Sequence, residues 1–95
     1  MIGLAIKAGK VAAGLEETLK RLRKHQIDVV LMAQDIGYSS KKQLIKDCNS
    51  SKVLLVSIGN SEDWMEKLRI SNKVLGIMQS PLSAHIKKLL GSIDG

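Results

Sequence analysis

The sequence predicts an α/β domain, a small sheet with helices on both faces, and two observations support this prediction. Three continuous apolar runs have the length of strands that are covered on both faces: VVLMA at 29–33, VLLVSI at 53–58 and VLGIM at 74–78. Between these runs lie segments whose apolar residues recur at helical spacing. This alternation is typical of the α/β class, and a length of 95 residues favours a single domain over 1–95.

The predicted elements alternate along the whole chain. In order, they are a helix at 2–9, a strand at 11–13, a helix at 15–25, a strand at 29–33, a helix at 40–50, a strand at 53–58, a helix at 61–68, a strand at 74–78 and a helix after Pro81. Gly9 and Gly14 end the first two elements, because glycine weakens regular structure and favours turns. Pro81 suits the first turn of the last helix, where its fixed φ is already helical.

The helices are predicted from their apolar stripes and their starting residues. The apolar positions are Leu15, Leu19 and Leu22 in the second helix, Leu44, Ile45 and Cys48 in the third, and Ile86, Leu89 and Leu90 in the last. Such spacing places the apolar side chains of a helix on the face that meets the sheet. Ser39 or Ser40 is placed to cap the third helix, and Ser61 opens the fourth after a glycine turn.

The composition favours a basic protein of the cytoplasm. The net charge is +6, from 15 Lys and Arg against 9 Asp and Glu, and such an excess attracts polyanions. Trp64 and Tyr38 are the only aromatic residues, so nucleic-acid binding would not rest on a stacking platform of several rings. Cys48 is the only cysteine, which excludes an intrachain disulfide and fits a reducing compartment. No apolar run reaches the roughly 18 residues of a membrane span, so no membrane partner is expected.

The sequence offers no catalytic constellation, so we predict that the protein is not an enzyme and carries no cofactor. Neither His25 nor His85 has a cysteine, serine or carboxylate arranged with it as a nucleophile–base pair. The loop IGYSSKK at 36–42 precedes a helix, where backbone N–H groups bind phosphate, but it lacks the spaced glycines of a Walker loop. An enzyme that binds a small phosphate ligand at 37–41 therefore stays as the weakest of the alternatives.

The charges of the second predicted helix fit an ordinary exposed helix. Glu16 stands four residues before Lys20, and Glu17 four before Arg21, which is the favourable order for surface ion pairs. Acidic residues near the start and basic residues near the end also suit the helix dipole. Taken alone, this charge order indicates nothing beyond a solvated surface.

The wider sequence points to a known family. The segments GLAIKAGKVAAGLEETLKRL, DVVLMAQD and KKQLIKDCN, followed by a strand that ends in VSIG, together resemble the ribosomal protein L7Ae/L30e family, most closely its bacterial YlxQ-like branch. The resemblance covers roughly residues 3–90. It implies a three-layer α/β/α sandwich with a small mixed four-stranded sheet. It also implies a non-catalytic protein that binds a kink-turn-like RNA or ribosomal RNA, the latter on the ribosome.

The resemblance places an RNA-binding segment at the start of the second predicted helix, where the family has G-T-N-E-V-T-K. Gly14, Glu17 and Lys20 match this segment, while Leu15 and Glu16 stand where the family has threonine and asparagine. Glu17, and less directly Glu16, would accept hydrogen bonds from the exposed guanine edge of a sheared G·A pair. Lys20 would contact phosphate or a base carbonyl. Proteins recognise such unusually paired bases because the A-form major groove is closed to side chains.

Three further contacts follow from the same resemblance. Lys10 would make a second contact to phosphate or a base carbonyl. Gln34 lies in the loop that follows the first long strand. Leu82 belongs to the loop after the third long strand, which would pack against the splayed-out part of the RNA. An anchor for the last helix is an equally good interpretation of Leu82.

The two departures from the family segment leave an alternative open. Asparagine both donates and accepts hydrogen bonds, whereas a carboxylate such as that of Glu16 only accepts. Glu16 therefore does not make an RNA contact that requires a hydrogen-bond donor at this position. The alternative is a protein-interaction module on the same scaffold that has lost kink-turn specificity through Leu15 and Glu16. In either case the protein is expected to be a monomer.

Overall fold

The computed structural model describes residues 6, 7, 9–79 and 88. Within them the elements run, in chain order, β1 (Val11–Ala13), α1 (Leu15–Arg23), β2 (Ile27–Met32), α2 (Tyr38–Ser51), β3 (Leu54–Ser57), α3 (Ser61–Asp63), a π-helix (Trp64–Leu68) and β4 (Val74–Met78). Ile6 and Lys7 are helical, inside the helix predicted at 2–9. The helix predicted after Pro81 lies outside the described residues. None of the described helices combines the length and apolarity that crossing a bilayer requires.

The four strands form one mixed sheet in the order β1-β4-β2-β3. Strands β2 and β3 are parallel, and α2 is the crossover that connects them. Strand β4 runs antiparallel to both of its neighbours, β1 and β2. The predicted small mixed four-stranded sheet is therefore confirmed.

Helices cover both faces of this sheet. Along β2, successive side chains point to opposite faces, so Val29 and Leu31 enter one core cluster and Val30 enters the other. The cluster around Val30 contains Leu22 of α1 and Leu44 of α2, among other residues. The cluster around Val29 and Leu31 contains Trp64 and Ile70 from the segment that precedes β4. This arrangement confirms the three-layer α/β/α sandwich.

A glycine in the sheet allows α1 to approach it closely. A Cβ atom at Gly76 would lie 3.0 Å from Thr18 Cγ2 and 3.0 Å from Ile27 Cδ1. The Thr18 side chain is fully buried, and its hydroxyl donates a hydrogen bond of 3.0 Å to the Ala12 carbonyl. Thr18 therefore fixes α1 to β1 at a point where β4 has room only for a hydrogen atom.

Two local predictions are wrong. Helix α2 begins at Tyr38, and its N-cap is Gly37, which makes no side-chain capping bond. Ser39 and Ser40 therefore lie inside the helix, beyond the N-cap position at which a side chain caps it. Strand β3 was predicted to be buried on both faces, yet none of its four residues is buried, because it lies at the edge of the sheet.

The helix predicted at 61–68 has the predicted bounds but two forms, a turn of α-helix followed by the π-helix. Asn60 is its N-cap: the Asp63 N–H donates to Asn60 Oδ1 at 2.9 Å, and the Asn60 N–H donates to Asp63 Oδ2 at 3.2 Å. Trp64 points inward, and its indole N–H donates to the Ile58 carbonyl at 2.7 Å. The reciprocal cap and the buried indole together hold this segment against the sheet.

Candidate functional site

The strand directions bring four connecting segments to one end of the sheet. Because β1, β2 and β3 all run parallel to one another, their carboxyl ends meet at the same edge, together with the amino end of β4. We call this end the Gly14 edge, and it comprises Gly14, Gln34, Gly59 and Asn72–Lys73. Ligand sites in α/β sheets favour the carboxyl ends of the strands.

Main-chain hydrogen bonds hold these segments together. They run from the N–H groups of Gly14, Ala33 and Gln34 to the carbonyl groups of Val74, Lys73 and Gly59, at 2.9, 2.9 and 2.7 Å respectively. Each bond joins a segment that follows one strand to a segment that belongs to another. The relative positions of the four segments are therefore set by the backbone.

Gly14 connects β1 to α1 in a conformation that other residues avoid. Its φ is 93° and its ψ is 160°, a region occupied almost only by glycine. Gly14 is also the N-cap of α1 and supplies no side-chain cap. The amino end of this helix therefore carries the positive end of the helix dipole without a capping side chain, which is a favourable position for an anion.

Glu17 lies in the first turn of α1 and forms an ion pair one turn further along. Arg21 Nε donates to Glu17 Oε1 at 2.9 Å, and the Glu17 side chain is 42% exposed. The hydrogen bond from Arg21 is the main cause that lowers the pKa of Glu17. Glu17 is therefore ionised at neutral pH, and its second oxygen still has acceptor capacity.

Glu16 and Lys20 both lie on the exposed side of α1. The sequence allowed an ion pair between them, but in the described part of the chain no cation lies within 4 Å of the Glu16 carboxylate and no carboxylate lies within 4 Å of Lys20. That interpretation of Glu16 is wrong, and the pair that forms is Glu17–Arg21. The structure therefore brings Gly14, Glu16, Glu17 and Lys20 together on one exposed helix tip.

Two predicted site residues contribute no side chain to the exposed face of this tip. Leu15 is half-buried and packs against the core cluster that holds Leu22, so its side chain belongs to the helix–sheet contact. Lys10 lies at the far end of β1, where its carbonyl accepts a 2.9 Å hydrogen bond from the Met78 N–H. Because β1 runs from Lys10 toward Gly14, Lys10 stands at the edge of the sheet opposite Gly14.

The two predicted loop contacts also separate. Gln34 is exposed and lies at the Gly14 edge. Leu82 lies outside the described residues. The loop that would carry it starts at the opposite edge, where Met78 and Gln79 donate to the carbonyl groups of Lys10 and Gln26. The contact of Leu82 with the splayed-out part of the RNA therefore stays a prediction.

Sequence reasoning missed two residues at the Gly14 edge. Asn72 is exposed, and its side-chain Oδ1 lies 3.4 Å from the position that a Cβ at Gly14 would occupy. Lys73 is the neighbouring residue, and its carbonyl binds the start of the loop after β2. The only signal in the sequence is a short polar segment before the VLGIM run, whose location depends on the direction of β4.

A carboxylate joins two of the segments by its side chain. Asp35 accepts hydrogen bonds from the Ser61 N–H at 2.7 Å and from the Ser61 hydroxyl, and Lys73 Nζ lies 3.9 Å from Asp35 Oδ2. The hydrogen bond from the Ser61 hydroxyl is the largest cause that lowers the pKa of Asp35. Beside this carboxylate is an open groove of about 470 Å³, lined by Asp35, Asn60, Ser61, Glu62, Met65, Ser71 and Lys73.

Asp35→Asn is expected to lower the melting temperature at neutral pH and to have a smaller effect in acid. A carboxyl group whose pKa is lowered by folding stabilises the protein above its unfolded pKa, near 4, and this contribution is lost as the pH falls through the lower folded pKa. Thermal unfolding of both proteins at about pH 7 and about pH 3 tests this. An equal difference in melting temperature at both pH values would contradict the assignment.

The remaining groups considered from the sequence are the cysteine, the histidines, a metal cluster and the loop before α2. Cys48 is buried, and burial raises the pKa of its thiol to about 11. His25 is exposed at the end of α1. Within the described ranges, no three His, Cys, Asp or Glu side chains are grouped to hold a metal ion. At the predicted phosphate loop, Gly37 has no neighbouring atom near the position of its missing Cβ, so the loop leaves this position open.

Comparisons with known proteins agree with this architecture. The RNA-binding protein YlxQ of Enterococcus faecium is 26% identical over 90 residues, which cover 95% of this chain and 87% of that protein. A Bacillus halodurans protein of unknown function has a solved structure with a TM-score of 0.84 at 26% identity, over 98% of this chain and 92% of the other. The Giardia lamblia 15.5kD RNA binding protein has the same fold, with a TM-score of 0.83 at 18% identity, covering 98% and 81%.

The family model that describes the ribosomal protein L7Ae/L30e/S12e/Gadd45 family matches residues 1–80. This match spans most of the chain, including all the described elements and the Gly14 edge. The chain therefore belongs to the ribosomal protein L7Ae/L30e/S12e/Gadd45 family.

Proposed function

We propose that the protein is a non-catalytic RNA-binding protein that recognises a kink-turn-like structure through the tip of α1. Family membership and the names of its RNA-binding relatives support RNA as the partner. The protein acts in the cytoplasm as a monomer, on ribosomal RNA or another structured RNA, without a cofactor.

One observation carries the proposal: Arg21 donates a hydrogen bond to the Glu17 carboxylate, in the first turn of a helix whose N-cap is Gly14. Gly14 has no side chain, and the position of its missing Cβ lies 3.4 Å from Asn72 Oδ1, so a nucleotide that approaches this turn also meets the Asn72 amide. The ionised carboxylate accepts hydrogen bonds from the N–H donors on the exposed edge of guanine. A carboxylate beside a polyanion is repelled unless a base edge binds it, so Glu17 supplies specificity and the basic residues supply affinity.

The roles of the other residues follow from their positions. Glu16 has no ion pair in the described part of the chain, so its carboxylate is available as a second acceptor. Lys20 is exposed one turn from Glu16 and binds a phosphate or a base carbonyl. Gln34 contributes an amide at the same edge. Asn72 carries an amide beside Gly14, and this amide supplies a hydrogen-bond donor and an acceptor at the start of α1.

Glu17→Gln is expected to weaken binding to a kink-turn hairpin roughly ten-fold, because the N–H donors on the exposed edge of guanine lose a charged acceptor. The sign of the effect is informative. If Glu17 makes no base contact, removal of its negative charge beside RNA strengthens binding instead. Fluorescence-anisotropy titration measures the affinity, with a second hairpin in which the G·A pairs are replaced by G·C pairs.

Glu66→Gln is the matched control, since Glu66 is an exposed glutamate on the π-helix, which packs on the other face of the sheet. We expect this control to bind like the wild type and Lys20→Ala to lower the salt dependence of binding by about one ion. The proposal is wrong if the wild type binds both hairpins equally. Equal affinities with steep salt dependence would leave only non-specific attraction to a polyanion.

A further inference from the structure

The outer face of α2 carries an exposed aromatic ring among lysines. The Tyr38 side chain is 79% exposed and Ile45 is 42% exposed, whereas most large apolar residues of the described chain are buried or half-buried. Lys41, Lys42 and Lys46 are exposed beside them. Spacings of three, four and seven residues place these side chains on one helix face. We call these five residues the Tyr38 patch.

The Tyr38 patch contains only positive charge. Asp47 is the one acidic residue of α2, and it points away from the patch: its side chain is 17% exposed, and Oδ2 lies 3.6 Å from Arg23 of α1. No carboxylate in the described chain lies within 4 Å of the ammonium groups of Lys41, Lys42 or Lys46. The three lysines are therefore not neutralised by nearby carboxylates, and they complement a polyanion.

The patch is continuous with the Gly14 edge. Tyr38 is the first residue of α2, and the loop that precedes it is held at that edge through Ala33 and Gln34. From Tyr38 the helix runs back along the sheet, so Lys46 lies about 12 Å further from the edge at 1.5 Å per residue. A bound polymer strand that leaves the Gly14 edge beside Tyr38 can therefore continue along this face of α2.

The character of the patch favours a nucleic-acid strand over other occupants. Two depressions lie on the patch, one of about 210 Å³ lined by Tyr38, Lys41, Lys42 and Ile45, and one of about 330 Å³ lined by Tyr38, Ser39, Lys42, Gln43 and Lys46. Both are open and lined by residues of a single helix, whereas a small-molecule site encloses most of its ligand. Tyr38 and Ile45 alone give too little apolar area to anchor a protein helix or a membrane. One exposed ring with adjacent ammonium groups matches one stacked base and its neighbouring phosphates.

We propose that the Tyr38 patch binds a single-stranded RNA segment that flanks the structured motif held at the Gly14 edge. One unpaired base stacks on the Tyr38 ring, and the lysines contact the phosphates that follow. This inference rests on the proposed function and adds a second contact to it. Because a single ring stacks a single base, the contact contributes affinity and direction without sequence specificity.

The test compares three RNAs by anisotropy titration: the kink-turn hairpin, and the same hairpin with a single-stranded extension of about four nucleotides at its 5′ or its 3′ end. We expect one extension to tighten binding by the wild type roughly ten-fold. Tyr38→Ala should abolish this gain and leave binding of the plain hairpin unchanged, and Tyr38→Phe should keep it. Lys42→Ala should reduce the gain, while the control Lys67→Ala, on the π-helix, should not.

The result also separates this inference from the proposed function. If replacement of the G·A pairs by G·C pairs leaves the affinity for the plain hairpin unchanged, the proposed function is wrong. Suppose that the wild type still prefers the plain hairpin with G·A pairs to the one with G·C pairs. The inference alone is then wrong if neither extension increases the affinity, or if the increase survives Tyr38→Ala. An equal loss for all three RNAs in Tyr38→Ala would also overturn it, because Tyr38 would then belong to the primary site.

Discussion

Replacement of Trp64 by alanine is expected to lower the free energy of unfolding by about 3–5 kcal/mol. The reason is that removal of a large buried side chain leaves a cavity that the core fills only in part. Trp64 is 2% exposed and packs in the cluster that includes Leu31 and Leu75. The Ile58 carbonyl also loses the indole donor at 2.7 Å. Urea unfolding followed by far-ultraviolet circular dichroism measures the change, since the variant has no tryptophan fluorescence.

Two further variants at this site keep the prediction testable if the alanine variant does not fold. Trp64→Phe retains an aromatic ring but removes the hydrogen bond to Ile58, and should cost about 1–3 kcal/mol. Met65→Ala changes the exposed neighbour of Trp64 and should stay within about 0.5 kcal/mol of the wild type. Equal effects of the phenylalanine and alanine variants would show that packing of the ring contributes nothing.

Gly76→Ala is expected to destabilise the protein by about 1–3 kcal/mol, although it adds a single methyl group. The new Cβ would lie 3.0 Å from both Thr18 Cγ2 and Ile27 Cδ1, so both α1 and the Ile27 side chain must shift. Movement of α1 also displaces the helix tip, so RNA affinity should fall together with stability. Urea unfolding and hairpin titration of the same variant measure the two effects.

Second substitutions identify the cause. Thr18→Ser removes Cγ2 but keeps the hydroxyl that donates to Ala12, so it should recover part of the loss in the Gly76→Ala background. Ile27→Val, which removes Cδ1, should do the same. Thr18→Val keeps a methyl group and loses the hydrogen bond, so it should not. Strict additivity of all the double variants would contradict the steric explanation.

The features predicted correctly from the sequence are those that depend on local periodicity. Leu19 and Leu22 are buried on the face of α1 that the spacing indicated, and the three apolar runs are strands. The location of Gly14 and Glu17 at the start of α1 also agrees with the sequence, while their contact with RNA stays a prediction. Local patterns are sufficient here because side-chain direction in a helix or strand repeats with a fixed period.

The direction of a strand is not contained in such a pattern. VLGIM has the same composition whether its strand is parallel or antiparallel to its neighbours, so the sequence did not indicate that β4 runs against β2. The consequence is that Asn72 and Lys73, which precede β4, come to the Gly14 edge, whereas the segment after β4 starts at the opposite edge. Only the pairing of the whole sheet determines which loops meet.

The choice of ion pair was equally undetermined. Glu16–Lys20 and Glu17–Arg21 have the same spacing and the same order along α1. In the structure Arg21 also donates to Gln26 Oε1 at 3.2 Å, so its guanidinium group joins Glu17, one turn earlier, to Gln26 beyond the end of the helix. A lysine has no planar fork that can hold two acceptors in this way.

The main-chain hydrogen bonds between the connecting segments at the Gly14 edge affect how the sequence of this scaffold can change. The hydrogen bonds that join Gly14 to Val74, Ala33 to Lys73 and Gln34 to Gly59 involve only main-chain atoms, which every residue except proline supplies in full. Apart from Gly14 and Gly59, whose positive φ favours glycine, amino-acid identities there are free to change while the geometry persists. The fold is likewise retained in a protein of 26% identity, with a TM-score of 0.84. The same property makes this edge suitable for grafting: new side chains can be installed to bind a different target while the backbone stays in place.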